Sequence, residues 1–523
     1  MLNINPMLIC DTYKTIHKDV YPANMVEMDS YLVPRKSMFE KQDKVVFFGL
    51  QAFLKELKES FDKNFFGKPL SEILNSYRRY MNVQLGEGVF NTDQIEELHR
   101  AGYLPIFVEA LPEGSYVNMG VPVVHVRATK PEFAWFAQWT ECWLQGAMWK
   151  PCNHATIGAM YHRLAKYWYE KNTDNADPYM AASDFGMRGM SCMEEAQRCS
   201  AAWLLSFNKT STIPALPFID ENYYADVSYN HIGVGAVSIE HSVISSRVAA
   251  GETEKDILLS LLERYKNTSF SYVADTYDYW NVIDNILPEI KDKIMEHNGV
   301  LLPRPDSGQQ VEITVETVKH LWNTFGGTEN KKGYKVLDKH VRLILGDGCT
   351  LKCVEQIWKQ LDKAGFAANN VVFGVGAFCF SAIFEGDKMI VNTRDTFGFA
   401  QKTTHITVRK DDEDSEDSVT FSNGDVNITF SKGNGITTRR DVELKVSKDP
   451  KTDTDKLKKT HVGLVFVEKT EDGYKATDGF DNNTYEEYAK THTSAMKTVF
   501  LYGKLVNEQT FMEIRNRLAQ EVK

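Results

Sequence analysis

The chain has 523 residues, 43% of them hydrophobic and 12% aromatic, enough to bury a large core and more than one ordinary domain requires. A net charge of −11 argues against nucleic-acid binding through bulk electrostatics, although a few local Arg and Lys residues can still make one pocket a site for an anionic small molecule. Eight cysteines without a CxxC pair, an N-terminus "MLNINPMLICDTYK" that does not read as a leader, and no apolar run near the roughly 18 residues of a membrane span predict free thiols and a soluble, cytoplasmic protein with no membrane partner.

In chain order, residues 1–180 mix strand-like pieces, "MVEMDSYLV" (25–33) and "GSYVNMGVPVVHVRAT" (114–129), with helical stretches. The aromatic segment 131–150 predicts a helix buried in a core or a subunit interface. From 181 to 399 the pattern becomes regular: short apolar runs end in polar groups, and amphipathic helices follow several of them. "SFSYVAD" ends at Asp275, "GVLLPRPDSG" reaches Asp306, "HVRLILGDG" reaches Asp347 before a helix capped by Thr350, and "NVVFGVG" ends at Gly376. Cys349 and Cys353, four apart, are expected to share the face of that helix. Intervals of roughly 30–40 residues are the length of strand–helix–strand units, which imply a parallel sheet. Polar groups gathered at strand C-terminal ends imply a barrel with its site at that mouth. The charge run "RKDDEDSEDS" (409–418) predicts a solvated loop tip, followed by a hairpin around "SNGD" (422–425). The expected fold is therefore α/β: an irregular α/β barrel (181–399) packed against a second domain of largely antiparallel sheet plus helix (1–180 with 400–523).

Three stretches carry chemistry. "SDFGMRGMS" (183–191) contains the DFG triplet of protein kinases, but neither His-Arg pair in the chain is followed by Asp, so a kinase is excluded. Physically, Phe185 and Arg188 on a glycine-punctuated frame offer a flat heteroaromatic ligand a stacking face and a guanidinium; a core Phe beside a surface Arg is the alternative. The strand-end set Asp275, Arg304, Asp306, Asp347 and Gly376 offers carboxylates for ribose hydroxyls or Mg²⁺, a guanidinium for phosphate, and backbone N–H groups in "GVGA" for a terminal phosphate. "SIEHSVIS" (238–245) places His241, a competent nucleophile toward phosphorus, near the same mouth.

With "DTYKTIHKDVYP" (11–22), "YLVPRK" (31–36), "SDFGMRGMS", "IEHS" (239–242), "VADTYDYW" (273–280), "RPDSG" (304–308), "KGYKVL" (332–337), "LGDG" (345–348), "FGVGA" (373–377) and "TRD" (393–395) in this order, the chain resembles the nicotinamide phosphoribosyltransferases, a family of type II phosphoribosyltransferases. The resemblance implies transfer of phosphoribose from phosphoribosyl pyrophosphate to nicotinamide, giving nicotinamide mononucleotide and pyrophosphate, by a homodimer whose active sites lie at the interface. It implies that Phe185 and the partner's Tyr13 sandwich the pyridine beside Arg188, with Ser271 on the amide oxygen. Asp306, Asp275 and Asp347 would hold ribose hydroxyls and the water shell of a Mg²⁺ ion carried mainly by the substrate pyrophosphate near Asp306. Arg304, Gly346, Gly376, Ala377 and Arg394 would bind the phosphate end, and Arg35, Lys448 and Lys456 would face it from across the dimer. His241 would be phosphorylated by ATP, coupling ATP hydrolysis to synthesis.

The chain departs from the family pattern in three places. Ser211 in "NKTST" stands where the family has an Asp. A carboxylate there accepts the amide N–H of nicotinamide and repels nicotinate; a hydroxyl repels neither, so a nicotinate or dual-specificity enzyme is the alternative reading. In "GVGAF" (374–378), Ala377 and Phe378 replace phosphate-loop glycines. The stretch beyond this loop is longer, and 406–445 carries extra material.

Overall fold

Between residues 182 and 375, short and mostly buried strands alternate with helices, the pattern of a parallel sheet covered on its outside. The computed structural model describes residues 3–411, 418–423, 426–431, 439–454 and 458–522. Seven parallel strands form this part: β1 (Ala182–Asp184), β2 (Lys209–Thr210), β3 (Val237–Ser238), β4 (Phe270–Val273), β5 (Leu301–Arg304), β6 (Leu343–Leu345) and β7 (Val371–Val375). They run in two ladders, β3-β4-β5 and β6-β7-β1-β2. Single parallel bridges, Leu301↔Val341 and Lys209↔Val234, join the ladders at both ends. The ring is thus irregular: isolated bridges, not continuous ladders, span its two seams.

Helix Gln310–Phe325 follows β5 and helix Leu351–Lys363 follows β6. The latter starts where expected, with the Thr350 side chain accepting from the Cys353 N–H. Its apolar stripe, Val354, Ile357, Trp358 and Leu361, is fully buried. Cys349 corrects one expectation: it precedes this helix, where its Sγ donates to the Leu345 carbonyl, so it shares no helical face with Cys353. All eight cysteines are free thiols.

The second layer is a seven-stranded antiparallel sheet built from both ends of the chain, in the order 439–445, 399–411, 25–34, 124–128, 106–110, 497–501, 504–505. Its longest ladder pairs Met25–Pro34 with Phe399–Asp411, from Met25↔Val408 to Pro34↔Phe399. The aromatic segment is core: Phe133, Trp135, Phe136, Trp139 and Trp143 are all buried, with edge-on rings such as Trp135–Trp139 at 5.4 Å. Helix Glu141–Asn172 continues from it and packs against both the antiparallel sheet and helix Met193–Trp203.

The charge run corrects a second expectation. Arg409 and Lys410 lie inside strand Phe399–Asp411, opposite Asp441 and Arg440, and Arg409 is paired with Asp441 at 2.8 Å. The Arg409–Asp441 ion pair favours the extended conformation here, while Lys410 faces the like-charged Arg440. Residues 412–417 lie outside the described residues; Ser418–Asn423 and Val426–Ser431 form the expected hairpin. Among the described residues, no helix is long and apolar enough to cross a membrane.

Candidate active site

The chemistry-bearing residues sit at or just beyond the C-terminal ends of strands β1 to β7, and those of β5, β6, β7 and β1 follow one another around the ring. Phe185 leaves the end of β1 with its N–H bonded to the Val375 carbonyl at 2.9 Å. Its ring lies on Gly374 of β7 so closely that a Cβ at 374 would stand 2.2 Å from Phe185 Cε2. Gly189 likewise abuts Ala377, whose Cβ would be 2.2 Å from a Cβ at 189. Two glycines thus seat the ring and its following turn against the loop after β7. Arg188, on that turn, is exposed. Below the ring, the buried Asp184 carboxylate accepts from the Gly186 N–H at 2.7 Å and from the Thr210 and Thr212 hydroxyls at 3.0 and 2.8 Å. Ser211, between those threonines, is exposed and bonded through its N–H to the Asp184 carbonyl at 2.9 Å.

The neighbouring strand ends carry a linked polar chain. Arg304 donates through Nε to Asp306 Oδ1 at 3.0 Å, through Nη1 to Ser238 Oγ at 2.7 Å and through Nη2 to the Ile239 carbonyl at 3.0 Å. The Asp306 N–H and the Ser307 hydroxyl both donate to Asp275 Oδ2, at 3.0 and 2.5 Å. His241 opens helix His241–Ala249, half exposed. Its Nδ1 is 3.1 Å from Thr276 Oγ1, and its Nε2 is 3.6 Å from Asp306 Oδ2 and 3.8 Å from Asp275 Oδ1. Gly346 fits against this chain: a Cβ there would lie 2.7 Å from Asp306 Oδ1 and 2.9 Å from Arg304 Cδ. Asp347, one residue on, is exposed at the end of β6. Gly376 has open space where a Cβ would be, and Phe378 is 60% exposed at the rim.

Two buried oxygens in this group have no hydrogen-bond partner among the described residues, Ser271 Oγ and Asp275 Oδ1. Such orphans beside a cluster of polar strand ends are the groups a ligand satisfies. His241, Asp275 and Asp306 each bring one ligand atom within 4.8 Å of the others. The two carboxylates suit a hard divalent cation, and the imidazole suits softer ions. Mg²⁺ therefore fits the carboxylates of this set.

A second group of expected site residues gathers on the antiparallel side. Tyr13 is 52% exposed, and the next residue, buried Lys14, is ion-paired to Glu141 at 2.6 Å. Glu141 Oε1 also accepts from Lys402 at 2.6 Å and from Gln145 at 2.9 Å, while Gln145 Oε1 accepts from Arg394 Nη1 at 3.3 Å. Arg35 donates to the Gly398 carbonyl at 3.1 Å; burial, then the charge of Arg394, lowers its pKa. Arg35, Lys402, Lys459 and His461 line a pocket of about 300 Å³ walled by Tyr31 and Val33. Lys448 is exposed beside it, exchanging hydrogen bonds with Thr460 at 2.8 and 3.0 Å. Lys456 lies outside the described residues. Among the described residues, no hydrogen bond, ion pair or ring contact joins this group to the barrel rim. Arg394 thus lies near Arg35, on whose guanidinium its charge acts, and is bonded to Gln145.

Sequence reasoning passed over Asp184, Glu141, Gln145, Lys402, Lys459 and His461. Asp184 had a usable signal, its place at a strand end one residue before the ring. The others are polar residues whose convergence depends on long-range strand pairing.

Comparison with known proteins gives the following. Residues 180–416 match the model of the nicotinate phosphoribosyltransferase (NAPRTase) family, and residues 5–106 match the nicotinamide phosphoribosyltransferase N-terminal domain. The chain is 33% identical to a nicotinamide phosphoribosyltransferase of Acinetobacter baylyi over 99% of its own length and 98% of the relative's. It is 27% identical to one from Mycoplasma pneumoniae, over 77% and 90%. Its fold is similar to that of a nicotinate-nucleotide pyrophosphorylase from Pyrococcus furiosus, at a TM-score of 0.56 and 13% identity over 99% of this chain and 95% of that one. A human nicotinic acid phosphoribosyltransferase aligns at a TM-score of 0.50 and 13% identity, over 98% and 93%.

Proposed function

Since the chain belongs to the nicotinamide phosphoribosyltransferase family, we propose that it moves the 5-phosphoribosyl group of phosphoribosyl pyrophosphate onto nicotinamide, releasing nicotinamide mononucleotide and pyrophosphate. The observation that carries this reading is that one set of strand ends holds both an aromatic seat, Phe185 on Gly374 of β7, and the Arg304–Asp306–Asp275 chain, which packs against Gly346 of the neighbouring β6.

In this reading the pyridine stacks on Phe185, and the orphan hydroxyl of Ser271 donates to the amide oxygen. The ring nitrogen's lone pair forms the bond to ribose C1 as the C1–O bond to pyrophosphate breaks and its electron pair leaves with pyrophosphate. No proton needs to move, so the site needs positioning groups more than a general base. Asp275 and Asp306 face the positive charge that develops on the ribose, and Arg304 holds Asp306 in place. Mg²⁺, when bound with pyrophosphate, neutralises charge on the leaving group. ATP acts through His241: Nε2 attacks the γ-phosphorus, the bond to the β–γ bridging oxygen breaks, and ADP leaves with that pair. The group containing Tyr13, Arg394 and Arg35 serves the rim of a second copy, which makes the working form a homodimer.

Ser211 favours a second reading, a relaxed choice between nicotinamide and nicotinate. No carboxylate stands at that position, and the nearby Asp184 carboxylate is already taken up by Gly186, Thr210 and Thr212. The deciding experiment supplies purified protein with Mg²⁺, phosphoribosyl pyrophosphate and each pyridine, with and without ATP, and identifies the mononucleotide. Formation of neither mononucleotide would sink the proposal. Ser211→Asp should raise the nicotinamide-to-nicotinate ratio of kcat/KM by about tenfold, the scale of one charged contact; an unchanged ratio would remove Ser211 from the specificity argument.

A further inference from the structure

The pyridine seat and the segment that reads its substituent belong to different parts of the chain. Phe185 follows β1; Ser211 follows β2. One side chain touches both supports. Asp184 is 3% exposed, and a buried carboxylate is costly unless it is bonded. Among the described residues no cation pairs with it. Three neutral donors hold it instead, and they come from two places: the Gly186 N–H from the turn behind the ring, and the Thr210 and Thr212 hydroxyls from either side of Ser211. The two threonines are themselves buried, whereas Ser211 between them and Ile213 beyond them are exposed. The segment is thus pinned at its buried residues, while Ser211 and Ile213 stay exposed.

A packing role alone would not require this chemistry. An apolar side chain would fill the same volume, and Val at 210 and 212 would satisfy it. An acceptor-only group facing donors on two loops instead sets the spacing of those loops, because each bond is short and directional. We infer that Asp184 is a positioning residue that fixes the distance between the Phe185 ring and Ser211, and so tunes pyridine binding and pyridine choice. This rests on the reading of Phe185 and Ser211 as the pyridine site.

The test compares Asp184→Ala, Asp184→Asn and Thr212→Val with the parent enzyme, measuring KM for nicotinamide, nicotinate and phosphoribosyl pyrophosphate, kcat, and thermal unfolding. Asparagine can keep all three contacts: its carbonyl accepts from Gly186, and its amide donates to hydroxyls that can turn to accept. Asp184→Ala is expected to raise the pyridine KM by about tenfold, with phosphoribosyl pyrophosphate KM within about twofold, and to shift the nicotinamide-to-nicotinate ratio. Asp184→Asn should stay within about threefold of the parent on every constant. Thr212→Val, which removes one donor and keeps the shape, should raise pyridine KM severalfold and stands in for the alanine variant if that one does not fold. A pyridine KM unchanged in Thr212→Val, or KM values for both substrates rising together in Asp184→Ala, would overturn the inference. A parent enzyme that turns over neither pyridine would instead overturn the functional reading beneath it, a result visible before any variant is made.

Discussion

Gly374 illustrates how much a single residue decides at the rim. It holds its place because the Phe185 ring occupies the space its side chain would need. Gly374→Ala must push the ring off the strand, since 2.2 Å is far inside van der Waals contact. We expect nicotinamide KM to rise by about tenfold, the equivalent of one lost stacking contact of ~1.4 kcal/mol. Steady-state kinetics on nicotinamide checks this, and an unchanged KM would mean that the ring does not face substrate. His241 gives a second residue-scale test. With Nδ1 directed at Thr276 and Nε2 toward the carboxylates, His241→Ala should abolish ATP stimulation, read as ADP released per mononucleotide formed. ADP release equal to the parent's would remove His241 from the ATP step.

At the scale of elements, the antiparallel sheet carries an unusual cross-strand chain, Glu109–His125–Asp29–His405–Glu443, with successive contacts of 3.3, 2.7, 2.8 and 3.1 Å. Asp29 and His405 are fully buried, Tyr31 stacks on His125 at 4.4 Å, and Glu27 with Arg127 flanks the chain. Burial alone would push the histidines down and the acids up. The hydrogen bonds outweigh it, so the pKa values of His125 and His405 are raised, Glu109 is lowered, and Asp29 is held well below the usual carboxylate range. Raised histidines contribute stability that is complete below their ordinary pKa of about 6.5 and is lost as pH climbs through the raised value. Depressed acids contribute stability that is present above about 4 and is lost as pH falls through the lowered value. The melting temperature should therefore decline above neutral pH, and the double variant His125→Gln/His405→Gln, though less stable throughout, should show a flatter slope from pH 6 to 9, values that bracket the ordinary histidine pKa. Equal slopes in scanning calorimetry would remove this chain as the cause.

At the scale of the molecule, the expected site residues divide between the barrel rim and a patch built around Glu141 on the other layer. A rim with Phe185 and a patch with Tyr13 that do not touch within one chain are complementary halves if two copies associate. Mixing Phe185→Ala with Tyr13→Ala protein should then restore activity. Half of the randomly formed dimers carry one intact site of two, so about one quarter of the parent rate is expected. No recovery after subunit exchange, with dimers verified by light scattering, would place each complete site within one chain.

The sequence by itself determined the alternation of strand and helix between 181 and 399, the polar groups at strand ends, the Thr350 cap and the buried aromatic helix. Each of these is written in local periodicity or turn chemistry, which a short window contains. It also carried the family, through short motifs in fixed order. Only the tertiary structure decided that Arg394 keeps company with Arg35 and Gln145, that Arg409 lies in a strand opposite Asp441, that Gly374 is the seat of Phe185, and that Asp184 joins two loops. These are contacts between segments tens to hundreds of residues apart. They are set by strand register and close approach, to which no local pattern of residue types is sensitive.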